Sequence, residues 1–503
     1  MPGTGGNGEG GTEDGGADSG AYGGAGAGSG PPGTLRRTLS FRDLLVYGLL
    51  FIAPMAPVGL FGTLQARSHG AVTTVYLVAT VAMAFTASSY GQMVRVAPRA
   101  GSVYAYARLG LGEGAGFVAG WMAMLDYLLI PAVAYLFSGI ALHALVPAVH
   151  QWVWTALAVV VTTLLNLSGV RTAARVGFAV LAMEIVVLAV FVVAAVVVLV
   201  AHGPQRGWAA PLTGEGAFSV GAVPAAVSVA VLSYLGFDAI ASFAEEAGGG
   251  PGRVARALFS CLVVAGVLFA VQTYLAALLM PVSAAELAAR PAEQGAAFYT
   301  AVDSAVGRWL EVLVAVSKAV GAAFAALAGQ AAAGRLLFAM ARDRRLPGAM
   351  SKVDAGSGAP RRALLGAALV TLVAAVGAAR RDDGLDQLSS IVNVGALTAF
   401  GLLHASVLGW FWFRGGRGRP PAGRGREAGG GWEAGGGREA GGGREAGGGR
   451  PGVLRHAVVP LLGLAVVTAV VVEASGTAQL VGGVSLVVGL VVLGVQYGGR
   501  VRG

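Results

Sequence analysis

The stretch Val227–Glu246, VSVAVLSYLGFDAIASFAEE, is an apolar run that is interrupted by Gly236 and carries Asp238 near its middle. A carboxylate at bilayer depth costs about 2.5–3.5 kcal/mol on insertion scales, so it normally faces a protein interior or an aqueous path. A glycine beside such an acid loosens the helix, and interrupted membrane helices commonly line binding sites at mid-depth. The stretch therefore predicts a broken membrane-spanning helix.

The composition of the whole chain indicates an integral membrane protein. Hydrophobic residues make up 55% of its 503 residues, and the mean hydropathy is +0.70. Soluble domains of this length do not approach such values. The single cysteine, Cys261, excludes an intramolecular disulfide framework.

Twelve apolar segments are long enough to cross a hydrocarbon core about 30 Å thick. Strands of a membrane barrel would instead be about 10 residues long and strictly alternating. The predicted fold class is an all-α membrane protein. The predicted spans, numbered 1 to 12 in chain order, are 44–64, 73–94, 115–145, 152–169, 177–201, 220–246, 257–280, 309–339, 363–379, 387–412, 456–474 and 479–497.

The basic residues that give the formal net charge of +9 are distributed unequally between the two sides of the predicted membrane topology. With a cytoplasmic N terminus, 28 of the 35 Lys and Arg residues fall on the inner side, six fall in outer loops, and Lys318 lies inside span 8. Basic loops are translocated poorly, so this asymmetry predicts that both termini are cytoplasmic. The basic balance is therefore a topology signal and not the footprint of a nucleic-acid partner.

Composition also divides the chain into four parts. Residues 1–34 are rich in Gly, Ala and Ser and are expected to form a disordered cytoplasmic tail. Residues 35–413 hold spans 1–10. Residues 414–454 contain a six-residue tandem repeat, first seen as Arg426–Gly431, and are expected to form a disordered Gly-rich cytoplasmic linker. Residues 455–503 hold spans 11 and 12 and a short cytoplasmic tail.

Span 1 contains a second expected interruption, in the segment Ala53–Gly59, APMAPVG. Pro54 and Pro57 remove two backbone donors and clash with the preceding turn, which opens the helical ladder. A proline kink tolerated by neighbouring helices is the alternative. Spans 1 and 6 would be the first members of two five-helix halves, and paired interruptions at corresponding positions favour a binding site where the halves meet.

Three charged residues and one amide are predicted inside other spans. Asp126 in span 3 needs a partner or a wet cavity, and a structural pairing with a neighbouring helix is the alternative. Glu184 in span 5 and Lys318 in span 8 would each be unfavourable alone, which predicts that they pair; snorkelling of Lys318 is the alternative. Asn393 in span 10 either lines a cavity or bonds to a neighbouring backbone.

The segment 95–108 between spans 2 and 3 is too polar to cross a bilayer and carries several aromatic residues. These properties are typical of a short amphipathic helix that lies along a membrane surface. We expect this helix at the cytoplasmic face.

Several motifs occur in order along residues 40–500. They are Ser88–Arg95 with Pro98 and Ala100–Tyr104; Gly120-Trp121 with Leu125–Leu128 and Pro131; Ser233–Asp238 with Glu245-Glu246; Arg335–Pro347; and Asn393–Leu397 with Ala399-Phe400. Together they resemble the amino acid/polyamine/organocation (APC) transporter superfamily, including its bacterial putrescine importers and amino acid permeases. The resemblance implies a LeuT-like five-plus-five inverted repeat followed by two further helices. It also implies a substrate held between spans 1, 3, 6, 8 and 10.

The resemblance implies a secondary transporter of an amino acid or polyamine in the cell membrane, working by alternating access. Amino acid carriers of this kind usually hold the substrate carboxylate on free backbone N–H groups at the break of the first helix. Here Pro54 and Pro57 donate nothing, leaving Val58, Gly59 and Leu60. This departure favours a putrescine-like amine, with a neutral or cationic amino acid permease or exchanger as the alternative.

Asp126 and Asp238 are then the expected partners of substrate ammonium groups, and Tyr234 or Phe237 would close over the substrate. The predicted substrate-binding residues are Ala53, Pro54, Met55, Ala56, Val58, Gly59, Asp126, Tyr234, Gly236, Phe237, Asp238 and Asn393.

Some members of the family dispense with sodium and place a lysine of the fifth helix where sodium would sit. Glu184 falls at about that position, and Lys318 comes from the opposing helix, so the charges are exchanged. Our hypothesis is that Glu184 and Lys318 replace the sodium site and that protonation of an acid such as Asp238 couples transport to a proton gradient. The alternative is a permanent buried ion pair that only fixes the packing.

Two other classes of protein are less compatible with the sequence. An intramembrane enzyme would need a nucleophile or a metal-binding motif such as His-Glu-x-x-His, which is absent, so no catalytic residue, metal or cofactor is expected. A sensor that retained the fold without transport would keep buried charges that only destabilise it. The expected partners are thus a small amine or amino acid, protons and the lipid bilayer.

Overall fold

The computed structural model describes residues 39–98, 102–146, 148–168, 170–216, 222–354, 360–381, 384–414, 452–472 and 476–501. The predicted N-terminal tail and residues 415–451 of the predicted linker lie outside the described residues. Their predicted disorder therefore stays a prediction.

The described residues are almost entirely helical. Their only β feature is an isolated parallel bridge between Leu39 and Ala247. The α-helices, in chain order, are α1 Phe41–Ile52, α2 Phe61–Arg67, α3 Val72–Val96, α4 Ser102–Gly110, α5 Glu113–Leu145, α6 Gln151–Leu167, α7 Val170–His202, α8 Ala210–Thr213, α9 Ala222–Ala230, α10 Ala239–Ser242, α11 Pro251–Leu279, α12 Ala284–Ala289, α13 Ala297–Ala305, α14 Arg308–Arg342, α15 Arg361–Ala378, α16 Gly384–Leu408, α17 Val459–Val472 and α18 Gly476–Val501.

Ten segments of the described chain are long and apolar enough to cross a membrane. Two shorter apolar helical stretches, Gln151–Leu167 and Gln479–Val495, coincide with predicted spans 4 and 12. The predicted all-α membrane fold class is confirmed, while the count of twelve spans stays a prediction. Helix α4 confirms the short helix expected between spans 2 and 3.

Span 1 is interrupted where its prolines lie. Helix α1 begins with a capping box in which Ser40 and Asp43 satisfy each other's backbone N–H groups. It ends at Ile52, and Ala53 follows with a positive φ of 59°. A short 3₁₀ turn covers Ala56–Gly59 before α2 resumes at Phe61.

Span 6 is interrupted around Gly236, as the sequence predicts. Helix α9 gives way to a 3₁₀ turn at Val231–Tyr234, and α10 begins only at Ala239. Gly236 between them has a φ of +111°, and a Cβ at this position would collide with the ring of Phe51 at the end of α1. Only glycine meets both demands without strain.

The centre of the molecule is built on the contact of α5 with α14, flanked by α16 and α7. Small residues permit this close packing, as is common between membrane helices. A Cβ on Gly329 of α14 would lie 2.8 Å from the Pro131 ring of α5, and a Cβ on Gly395 of α16 would lie 2.7 Å from the Leu125 Cβ. The two broken helices pack against this central assembly.

Candidate functional site

A cavity of about 60 Å³ lies where the two broken helices meet α5 and α14. Its volume holds only a few water molecules. It is lined by Phe51, Ile52, Ala53, Ala56, Leu60, Ile130, Val133, Ala134, Phe137, Leu232, Ser233, Leu235, Lys318, Ala322 and Ala325.

Lys318 contributes the charged group of this lining. It lies in the third turn of α14 and is only 4% exposed. Its Nζ lies 5.2 Å from the centroid of the Phe137 ring, an arrangement that permits a cation–π interaction. Within the described part of the chain, no hydrogen bond or ion pair to this ammonium group is formed.

Glu184 of α7 lies behind Lys318, outside the cavity lining. It is fully buried, and its carboxylate packs directly against Gly321, where a Cβ would overlap it. Neither carboxylate oxygen has a hydrogen-bond partner among the described residues. The charges of Glu184 and Lys318 interact, yet no ion pair within 4.0 Å joins them in the described chain. Their predicted pairing is thus an interaction at a distance and not a direct contact.

Asp238 and Asp126 form a separate buried acid pair. Asp238 is 2% exposed and Asp126 is 3% exposed. One Asp238 oxygen, Oδ2, accepts hydrogen bonds from the hydroxyls of Tyr127 at 2.6 Å and Tyr90 at 3.0 Å. Asp126 lies near enough for the two carboxylates to interact electrostatically. Neither aspartate is part of the cavity lining.

The predicted residues of the span 1 break have several different roles. Ala53 and Ala56 line the cavity. The Pro54 carbonyl accepts a hydrogen bond of 2.9 Å from the Gln272 side chain, and the Met55 sulfur accepts one of 3.4 Å from Ser317. These contacts hold the break against α11 and α14.

The expected free donors of this break are largely engaged. The N–H group of Val58 donates to the Met55 carbonyl at 3.1 Å, and that of Leu60 donates to the Pro57 carbonyl at 3.0 Å. The expectation that Val58 and Leu60 present free donors is therefore wrong, because the 3₁₀ turn uses them. Gly59 lies against Phe137, where an added Cβ would be 2.8 Å from the ring.

The predicted aromatic residues of span 6 do not lie over the cavity. The Tyr234 hydroxyl donates to the Tyr76 carbonyl at 3.0 Å and lies 2.7 Å from the Thr80 hydroxyl. Phe237 packs edge-on against Tyr90, with ring centroids 6.2 Å apart. Both side chains therefore attach the break to α3.

Asn393 takes the second of the two roles considered for it. Its side-chain nitrogen lies 3.4 Å from the Ser228 carbonyl of α9, so it bonds to a neighbouring backbone and is not part of the cavity lining.

The apolar wall of the cavity was not identified from the sequence, although a signal was present. Ile130, Val133, Ala134 and Phe137 are spaced i, i+3, i+4 and i+7 on α5, which places them on one helical face. Phe137 follows Asp126 by three turns. Because α5 is apolar on nearly every side, its hydrophobic pattern does not indicate which face turns inward.

Ion pairs join the far end of span 6 to α14. Arg335 and Glu246 form a buried ion pair at 2.6 Å, and the Arg335 guanidinium lies 4.2 Å from the centroid of the Phe243 ring. Nearby, Arg342 contacts Glu245 at 3.1 Å. The acidic pair that ends the stretch Val227–Glu246 is thus bound to the end of α14.

A second polar cluster connects α4 to the residues that follow α14. Asp343 accepts hydrogen bonds from the Tyr104 hydroxyl at 2.9 Å and from Arg108 at 2.5 Å. Burial, with Asp343 nearby, raises the pKa of Tyr104 well above its usual value. Burial disfavours the Arg108 cation, but Glu113 and Asp343 outweigh this effect and raise its pKa. Both side chains therefore stay protonated at neutral pH.

Comparison with known proteins identifies the family. The model of the amino acid permease family matches residues 44–432. The chain is 29% identical over 382 residues to the low-affinity putrescine importer PlaP of Escherichia coli K12, covering 76% of this chain and 82% of that protein. It is also 29% identical over 387 residues to the branched-chain amino acid permease BcaP of Lactococcus lactis, covering 72% and 80%.

A plant relative extends the comparison. The chain is 26% identical over 404 residues to the vacuolar cationic amino acid transporter 4 of Arabidopsis thaliana, covering 75% of this chain and 64% of that protein. All three relatives are named for transport and none for catalysis. The family match covers more than half of the chain and includes both broken helices. The chain therefore belongs to the amino acid permease family.

Proposed function

We propose that this protein is a secondary active transporter that moves an amino acid or a polyamine across the cell membrane by alternating access. The observation that carries the proposal is the meeting of two broken helices at one cavity that is bordered by α5 and α14. The relatives support it, because their named substrates are a diamine and amino acids.

The breaks supply the hinges that alternating access requires. In the state described here, the cavity has a volume of about 60 Å³, which is room for a few water molecules. We expect the entry of a substrate to move the segments around Ala53–Leu60 and Val231–Asp238 away from α5 and α14. The buried Arg335–Glu246 pair joins span 6 to α14, so we expect it to separate, or to move as a unit, if span 6 moves away from α14.

The acid pair provides a site for proton coupling. Asp126 and Asp238 lie together in a buried region, and Tyr90 and Tyr127 donate to one carboxylate. Binding and release of a proton here would change the charge beside the span 6 break. Glu184 and Lys318 are a second coupling candidate, since they occupy the positions where the resemblance places an ion site. We place both termini in the cytoplasm, based on the asymmetry of basic residues.

Transport and coupling can be tested with the purified protein in liposomes. Uptake of radiolabelled putrescine and of a panel of amino acids is measured with and without an imposed inward proton gradient. We expect at least one substrate to accumulate with the gradient and Asp238→Asn to abolish that accumulation. Asp303→Asn is the matched control, because Asp303 is an exposed residue of α13.

Two results would contradict the proposal at different levels. Absence of uptake and exchange for the whole panel would contradict transport itself. Gradient-driven uptake that is unchanged in Asp238→Asn would leave transport in place and remove Asp238 from coupling.

A further inference from the structure

The charge of the cavity indicates what the substrate must carry. Lys318 and Ser233 supply the polar side chains of the lining, and the remaining members are apolar. The Ser233 hydroxyl already lies 3.0 Å from the Tyr76 hydroxyl, within hydrogen-bond distance. The Lys318 ammonium group therefore dominates the electrostatics of the cavity wall.

Lys318 is a cation with hydrogen-bonding capacity to spare. An ammonium group has three donors, and among the described residues Lys318 has no hydrogen-bond or ion-pair partner and meets only the face of Phe137 at 5.2 Å. Glu184 lessens the electrostatic penalty of burying the charge but makes no direct ion pair among the described residues. A buried cation in this situation is stabilised by an anionic ligand.

Most of the other groups expected to bind a charged substrate lie outside the lining or already make hydrogen bonds within the protein. The Val58 and Leu60 N–H groups donate within the span 1 break, which weakens that break as a carboxylate site. Asp238 accepts two tyrosine hydroxyls on Oδ2, while its Oδ1 and the Asp126 Oδ1 have no partner among the described residues. Neither aspartate is part of the cavity lining. The cavity therefore offers an ammonium donor and no carboxylate to pair with a substrate amine.

We propose that Lys318 binds the carboxylate of the transported substrate and so selects a small apolar carboxylate, such as an aliphatic amino acid, over a diamine. This inference rests on the proposed transport function and adds the substrate class. A carboxylate gains a charge-assisted hydrogen bond from Lys318. A diamine brings two further positive charges to a desolvated cation and is repelled.

The apolar part of the wall fits the rest of such a substrate. Phe51, Ile130, Val133, Leu232 and Leu235 surround the space beside Lys318. These side chains favour an aliphatic group and disfavour an additional charged one.

A ligand series tests the inference on the unmodified protein. In liposomes, the uptake of radiolabelled leucine is measured in competition with unlabelled leucine, leucine methyl ester, 4-methylpentanoate, 3-methylbutylamine and putrescine. We expect 4-methylpentanoate, which keeps the carboxylate, to compete. The ester and both amines should compete at least about tenfold more weakly than leucine, because they cannot accept a charge-assisted bond from Lys318.

Substitutions of Lys318 then test whether this residue causes the preference for ligands that carry a carboxylate. In Lys318→Met, leucine should compete only about as well as leucine methyl ester does. In Lys318→Arg, part of the advantage of leucine over its methyl ester should return. Counterflow without an ion gradient provides the readout, so that a defect in coupling does not lower the signal. Lys352→Met, which changes the only other lysine of the chain, is the matched control, and thermal unfolding verifies that each variant is folded.

The outcomes separate this inference from the proposed function. Putrescine uptake that is not inhibited by leucine would confirm transport and overturn the inference. Equal competition by leucine and its ester in the unmodified protein would also overturn the inference. If neither leucine nor putrescine is bound or transported, the inference fails, and the proposed function fails with it only when the rest of the panel is not transported either.

Discussion

The backbone of Gly236 lies directly against the ring of Phe51, so the break in span 6 is fitted to the end of α1. The contact joins the two broken helices to each other, and the same Phe51 ring also lies against Gly329 of α14. It requires glycine for two independent reasons, the positive φ of 111° and the lack of space for a Cβ.

Gly236→Ala should therefore destabilise the protein and impair transport. Strain at a positive φ costs roughly 1–3 kcal/mol, and overlap with Phe51 adds to it. Thermal unfolding and substrate uptake measure the two effects. Gly207→Ala is the control, because Gly207 has open space around it. Equal stability of the two variants would contradict the described fit between the breaks.

The two tyrosines that donate hydrogen bonds to Asp238 should contribute unequally to the stability of the protein. Tyr127→Phe removes the 2.6 Å hydrogen bond, and Tyr90→Phe removes the 3.0 Å one. A hydrogen bond to a charged group contributes about 1.5–3 kcal/mol, so we expect a lower melting temperature for both and a larger loss for Tyr127→Phe.

The control for the tyrosine variants lies beside them. Tyr106 packs against Tyr90, and its buried hydroxyl has no partner among the described residues. Tyr106→Phe should be neutral or slightly stabilising. A loss as large as that of Tyr127→Phe would show that the aromatic packing, and not the bonds to Asp238, determines stability.

The two ion pairs between span 6 and α14 should make unequal contributions. Arg335→Met leaves Glu246 buried without its partner, and such a loss costs about 3–5 kcal/mol. Arg342→Met breaks a more exposed pair with Glu245 and should cost about 1 kcal/mol or less. Chemical or thermal unfolding of the two variants gives the comparison.

A double variant isolates the cause of that difference. Arg335→Met combined with Glu246→Leu removes both charges and should recover most of the lost stability. If the double variant is as unstable as Arg335→Met alone, the packing of Arg335 on Phe243 is the larger contribution.

Gly321 should be sensitive because of the Glu184 carboxylate beside it. Gly321→Ala places a methyl group where that carboxylate lies, so it should displace Glu184 from Lys318 and lower both stability and transport. Alanine in place of a helical glycine otherwise stabilises by about 0.5–1 kcal/mol. Gly366→Ala in α15 should show that gain in stability, because its new methyl group would lie 3.5 Å from the Met350 side chain, an ordinary van der Waals distance. A gain at both positions would contradict the described position of Glu184.

The sequence was sufficient to predict the helical fold and the position of both breaks. Length and hydropathy indicate the spans, and proline or glycine within an apolar run directly changes the backbone that can form. Pro54, Pro57 and Gly236 therefore mark the breaks without any knowledge of tertiary contacts. The amphipathic α4 was predictable for the same reason, since its pattern is local.

The facing of side chains was not predictable in the same way. That Asp238 binds the substrate stays a prediction, and the sequence did not indicate that Tyr90 and Tyr127 from two other helices donate to its Oδ2. When a helix is apolar on all sides, its sequence has no hydrophobic periodicity to indicate which face turns toward the protein interior. The position of Lys318 in the cavity wall therefore depends on how α14 packs against α5, which no local pattern contains.

The close approach of Gly329 to Pro131 restricts which movements can open the protein. Movement of α5 away from α14 would open a void at this contact, where the Gly329 backbone and the Pro131 ring nearly touch. We therefore expect α5 and α14 to stay together and any opening to come from movement of the broken helices relative to them. A crosslink that fastens α5 to α14 should leave transport intact, whereas one that fastens α1 to α5 should stop it.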